Sequence, residues 1–132
     1  MLGEMIGELK GKIIGMRVLP MECCPKIESS FQDVGKILGV DVTDTGTFWS
    51  LFKEDGGIYG EGRGMLMTND GEIATWKAQG IGKMKGKASD YRASVFFNTS
   101  SKKLARLNDI VGIVEYSVDE EGNTYEKLWE WK

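Results

Sequence analysis

From Glu72 to Ala88 the chain alternates with a period of two for seventeen positions. The even positions (Glu72, Ala74, Trp76, Ala78, Gly80, Gly82, Met84, Gly86, Ala88) are mostly small or apolar. The odd ones carry four lysines at 77, 83, 85 and 87. Side chains along a strand point alternately to opposite faces, so this stretch predicts one long β-strand with a solvated lysine face and a narrow inner face. A strand of that length has to bend, and Gly80, Gly82 and Gly86 are where it can. Bent strands with small inner residues suit a sheet that closes on itself.

Glycine supports the same reading. The chain has 18 glycines and only two prolines in 132 residues. Most of the excess lies inside alternating segments, marking bends and close packing rather than a disordered tail. The length predicts a single domain over residues 1–132.

Three segments share one turn signature: Lys53-Glu54-Asp55-Gly56, Thr68-Asn69-Asp70-Gly71 and Asp119-Glu120-Glu121-Gly122. A central polar pair with glycine fourth suits a type I turn closed by a left-handed residue, hence three antiparallel hairpins. The turn type also sets the register. Phe52 then faces Ile58, Phe48 faces Gly62, Leu66 faces Ala74, Gly64 faces Trp76, and Ile113 faces Trp129. One face of the central hairpins collects Phe48, Phe52, Ile58, Leu66, Ala74 and Trp76, with Gly60, Gly62 and Gly64 beneath the aromatics. The other collects Trp49, Leu51, Tyr59, Glu61, Arg63, Met65 and Met67.

Further strands are predicted over residues 6–19, 28–40, 42–53, 91–99, 110–118 and 124–131. One short helix is expected near residues 101–108, capped by serine, with Leu104 and Leu107 inward and Lys102, Lys103 and Arg106 solvated. The fold class is therefore all-β: an antiparallel β-barrel of about eight strands with one short helix packed on an end. Closure removes exposed edges.

Composition narrows the chemistry. The chain contains no histidine, the commonest general base and metal ligand. Cys23 and Cys24 are adjacent, a spacing that strains a disulfide, so two loop thiols are expected. Neither a metal site nor a cofactor is predicted. The formal charge of −3 argues against nucleic acid, although Lys83, Lys85 and Lys87 leave single-strand binding as a weaker idea. GEGRG at 60–64 lacks the following lysine and helix of a phosphate loop. With no apolar run long enough for a signal peptide or a membrane-spanning helix, a cytoplasmic protein without membrane attachment is expected.

The segments GIYGEGRGMLMTNDGEIATW, the following GIG, SSKKLARLNDIVGIVEY and the closing DEEGNTYEKLWEW together resemble the allene oxide cyclase-like barrels, a calycin-like group. The resemblance runs from about Lys26 onward and implies a barrel. Members with a known activity cyclise a fatty-acid epoxide in an apolar lumen and are typically trimers. No residue of that catalytic site matches this chain, so the resemblance assigns no catalytic residue.

Two functional readings follow. The first is a non-enzymatic barrel that binds a small apolar molecule, assembles with itself, or both. The second is an isomerase or cyclase acting on a lipid-like substrate confined in the barrel. Candidate cavity residues are Phe48, Phe52, Tyr59, Glu61, Arg63 and Trp76, with Glu61 and Arg63 either steering a ligand or forming a surface ion pair. Trp49, Leu51, Met65 and Met67 form an outer apolar patch of the kind a homo-oligomer, dimer or trimer, would cover.

Overall fold

The computed structural model describes residues 1–21 and 23–132. Eight strands follow one another in chain order: β1 (Leu2–Val18), β2 (Lys26–Ile37), β3 (Val40–Phe52), β4 (Gly57–Thr68), β5 (Ile73–Lys85), β6 (Ala88–Thr99), β7 (Val111–Val118) and β8 (Asn123–Trp131). Each pairs antiparallel with the next, and β8 returns to β1, closing the barrel. Glu22 lies outside the described residues.

The three polar turns set the register as their chemistry predicts. Gly56, Gly71 and Gly122 have φ of 88°, 84° and 84°, the left-handed conformation that glycine adopts without steric cost. In the first of them, Lys53 N–H donates to Gly57 O at 2.9 Å, and Gly56 N–H donates to Lys53 O at 3.1 Å. Phe52 accordingly faces Ile58, Leu66 faces Ala74 and Ile113 faces Trp129.

Two other turns redraw the expected strand limits. Leu38 and Gly39, with φ of 53° and 76°, turn β2 into β3 by a two-residue hairpin, so β2 stops at Ile37 and β3 starts at Val40. The alternating segment 72–88 is likewise not one strand. It ends at Lys85, and Gly86, at φ 63°, turns the chain so that Ala88 pairs with Lys85 and opens β6. Ala88 therefore shares a row with the lysines and not with Trp76. Inside β5 the alternation holds, with Ala74 and Trp76 buried and Lys77, Gln79, Ile81 and Lys83 exposed.

The expected two-turn helix is a shorter 3₁₀ segment, Ala105–Asp109. Leu104 and Leu107 are fully buried in the same core as Leu66 and Ala74, so the segment plugs the barrel. Its outward charges pair on the surface, Lys103 with Asp70 at 2.7 Å and Arg106 with Glu4 at 2.7 Å. Between β1 and β2, Cys23 and Cys24 are joined to each other as a disulfide, which corrects the expectation of two free thiols. Their Cα atoms lie 3.8 Å apart, the spacing of neighbouring residues, and the bond closes across a single peptide unit. No helix among the described residues is long and apolar enough to cross a membrane.

Candidate functional site

The barrel interior is built around a tryptophan that lies over glycines. Trp76 projects inward from β5, and Gly64 on β4 is its direct cross-strand partner, with Gly46 on β3 next in the same row. A Cβ at Gly46 or at Gly64 would sit 2.6 Å from Trp76 Cζ2, so the indole occupies the space their missing side chains leave. Lying across two strands, the indole reaches Asp44 and donates its Nε1–H to Oδ1 at 2.7 Å.

Asp44 is one of three carboxyl groups turned inward. Asp33 faces it directly across β2 and β3, and Glu126 enters from β8. They are only 0%, 2% and 8% exposed (Asp33, Asp44 and Glu126). Thr124 Oγ1 donates to Asp33 Oδ1 across β1, where Gly11 pairs with both residues and presents no side chain between them. The Tyr116 hydroxyl has no hydrogen-bond partner, and Asp33 Oδ2 and Glu126 Oε2 have none outside the acid cluster, where Glu126 is within hydrogen-bonding reach of Asp33 and Asp44.

Taking a carboxylate out of water disfavours its charged form. Burial pushes Asp44 up from an ordinary 3.8 to about 7; the Trp76 hydrogen bond opposes the rise and the Asp33 charge adds to it. Glu126 is pushed well above its ordinary value, first by burial and then by the charges of Asp44 and Asp33. Desolvation also raises the Tyr116 phenol, reinforced by the charges of Asp33 and Glu126. Asp44 and Glu126 thus hold protons at pH values where surface carboxyls have lost them. The three groups are not arranged to ligate a common metal ion.

Beside these acids is a cavity of about 90 Å³, lined by aromatic rings and small apolar residues with Asp44 and Glu126 in its wall. Phe31 stacks on Trp76 with centroids 6.1 Å apart, and Tyr116 packs against both Phe31 and Phe48, at 5.5 and 5.6 Å. Tyr91 completes the group, 5.7 Å from Phe48, with its hydroxyl 3.2 Å from Ser50 Oγ.

Of the six candidate cavity residues, the structure brings Phe48 and Trp76 together in this lumen. Phe52 is half-buried at the end of β3 and does not line the cavity. Tyr59 and Arg63 face outward, because they alternate with the inward Gly60, Gly62 and Gly64; Glu61 shares their row, although it also borders the cavity wall. Nor do Glu61 and Arg63 form the ion pair considered for them: the Tyr59 hydroxyl donates to Glu61 at 2.7 Å. With Trp49, Lys77 and Phe96, Glu61 and Arg63 line an outer groove of about 530 Å³ that shares Phe48, Gly62 and Ala78 with the cavity wall.

The outer apolar patch is present but differently weighted. Met65 and Met67 are exposed, whereas Trp49 and Leu51 are half-buried, Trp49 tilted against Tyr59 and covered by the Lys26 ammonium 4.2 Å from its ring. The most exposed apolar side chains on this side are Ile81 and Phe96, at 63% and 55%.

Sequence reasoning missed Asp33, Asp44, Glu126, Tyr91 and Tyr116. The signal for Asp44 was its parity, four residues before Phe48 on one strand; Asp33 stands in the same relation to Phe31 and Glu126 to Leu128.

No protein-family model matches the chain, and comparison with curated proteins finds no match. Solved structures do share its fold. A protein of unknown function from Clostridium acetobutylicum superposes with a TM-score of 0.82 at 13% identity, over 98% of each chain. A β-barrel-like protein from Acinetobacter baumannii gives 0.82 at 14% identity, over 100% of this chain and 96% of the other. An enzyme from Penicillium herquei gives 0.74 at 18% identity, over 97% and 92%. At these identities the likeness establishes the eight-stranded barrel and nothing about activity.

Proposed function

We propose that this chain is a small-molecule binding barrel of the allene oxide cyclase-like, calycin-like kind, with its ligand seated in the lumen beside Phe48, Trp76, Tyr91 and Tyr116. The observation that carries this reading is the pairing of an aromatic wall with buried polar atoms that lack partners. Apolar walls supply affinity, and a few fixed polar groups supply orientation. The volume bounds the ligand. Drug-sized molecules occupy roughly 300 Å³ or more, so a cavity of about 90 Å³ admits only a small molecule and not a fatty-acid chain. The outer groove is larger, but its walls bear Glu61, Arg63 and Lys77, which are exposed and already solvated.

A lumen-filling variant tests the assignment. Ala93 lines the cavity and not the outer groove, so Ala93→Leu should displace a lumenal molecule while leaving the sheet intact. Native mass spectrometry of the purified protein is expected to show a small adduct that the variant has lost. An adduct kept equally by Ala93→Leu would remove the lumen from consideration.

One observation favours a second reading, an isomerase or cyclase. Asp44 and Glu126 hold protons beside an apolar cavity, as an acid–base pair for a small substrate would. Proton exchange into a substrate in deuterated buffer, abolished by Glu126→Gln, separates this from binding alone. Self-assembly through Met65, Met67, Ile81 and Phe96 is compatible with either role.

A further inference from the structure

We propose that the lumenal ligand is a small organic cation, an alkylammonium held between the aromatic rings and the Asp33–Asp44–Glu126 cluster. This rests on the lumenal reading above and names the ligand class for it. Three observations converge. First, β2, β3 and β8 turn carboxyl groups inward while no strand turns a lysine or arginine inward among the described residues, so the acids have no built-in counter-charge. Second, the Glu126 side chain is more than nine-tenths buried, lines the cavity wall and has only the neighbouring Asp33 and Asp44 carboxyls as hydrogen-bond partners; an ammonium N–H supplies the donor that a shared proton otherwise provides.

Third, the remaining wall includes the rings of Phe31, Phe48, Trp76, Tyr91 and Tyr116 among aliphatic residues, and the negative faces of such rings attract a cation stripped of its water. A bare metal ion would need several oxygens converging on one point, which these carboxyls do not offer. An alkylammonium needs only one or two oxygens for its N–H and carbon surface for the rest. The cavity volume of about 90 Å³ is that of about three water molecules, which sets the size of the alkyl groups.

Binding a cation favours the charged form of the acids that face it. Those acids are Asp44 from β3 and Glu126 from β8, with Asp33 of β2 paired to Asp44 outside the cavity lining and the Tyr116 phenol of β7 close to all three. A bound ammonium therefore replaces protons shared among the carboxyls, and binding releases protons to the buffer.

The test compares trimethylammonium chloride with tert-butanol, its uncharged analogue of similar shape, by isothermal titration calorimetry at pH 6 and pH 8. The proteins are the wild type, Asp44→Asn with Glu126→Gln, and Ala93→Leu, whose site lines the lumen and not the outer groove. Trimethylammonium is expected to bind the wild type more tightly at pH 8. Its enthalpy should vary with buffer ionisation heat, and the double amide variant should lose roughly tenfold to a hundredfold in affinity, the range of a charge-assisted hydrogen bond. Equal binding of tert-butanol and trimethylammonium, unaffected by the amides but blocked by Ala93→Leu, overturns the cation and leaves the lumenal site standing. No binding of either probe to the wild type, or binding that survives Ala93→Leu, overturns both.

Discussion

Replacing Asp44 with asparagine isolates the cost of burying a carboxyl group in this barrel. Asp44 holds its proton up to about pH 7 in the folded chain and only to about 3.8 when unfolded. Between those values the folded state carries a proton that the unfolded state has released, so stability falls as pH rises. The gap of about three units corresponds to roughly 4 kcal/mol, an upper bound because Asp44 titrates together with Glu126. Glu126, also raised by burial, acts in the same direction. Carboxyls whose pKa is lowered act in the opposite sense and at lower pH. Asp70 is held down to about 2, first by Lys103 and then by Thr68, while Arg106 lowers Glu4 and Asn123 lowers Asp119. Their stabilisation is lost as pH falls below about 4.5, outside the window of the buried acids.

Urea unfolding followed by tryptophan fluorescence from pH 4.5 to 8 reads this directly. The wild type should lose on the order of 1 kcal/mol per pH unit up to about pH 7, with the Asp44 contribution levelling off above it. Asp44→Asn keeps an oxygen for the Trp76 N–H and gains an amide that donates towards Glu126, so its profile should be flatter and its stability at pH 8 higher than the wild type by about 2 kcal/mol. A wild-type profile that is flat or rises across this window, or a variant less stable at pH 8, would refute the claim that these acids are buried without a counter-charge.

Further outcomes follow from the same geometry. Trp76→Phe retains the ring stacking on Phe31 but removes the Nε1–H that holds Asp44 down, so its unfolding free energy should fall by roughly 1–3 kcal/mol and its pH profile should shift upward. Gly46→Ala places a methyl 2.6 Å from the Trp76 ring and 2.8 Å from Phe31 and should cost about 1–3 kcal/mol, whereas Gly15→Ala, with no atom within 4 Å, should be close to neutral in the same assay. If the outer apolar face is an interface between copies, Ile81→Glu with Phe96→Glu should lower the sedimentation mass to that of one chain; an unchanged mass removes that face as the contact.

How much of this was legible in the residues depends on what each turn does to parity. The four-residue glycine turns after Lys53, Thr68 and Asp119 pair even with even and odd with odd, so a face tracked by residue number survives the hairpin. Phe48, Leu66 and Trp76 could therefore be placed together from sequence. A two-residue turn pairs odd with even, and both such turns here were obscured. Leu38 has a side chain that rarely adopts positive φ, and Gly86 sits inside an alternation that continues through it. The acids were hidden for a different reason. Asp44 has the parity of Phe48, yet an aspartate in a polar stretch is ordinarily read as exposed, because ionised groups are rarely buried without partners. Their meeting depends on closure of β8 onto β1 and on the side chain absent at Gly11, long-range facts that no local pattern encodes. Local turn chemistry thus settles which face a residue occupies, and barrel closure settles which residues from distant strands share it. A site assembled from β2, β3 and β8 comes into view only when both are known.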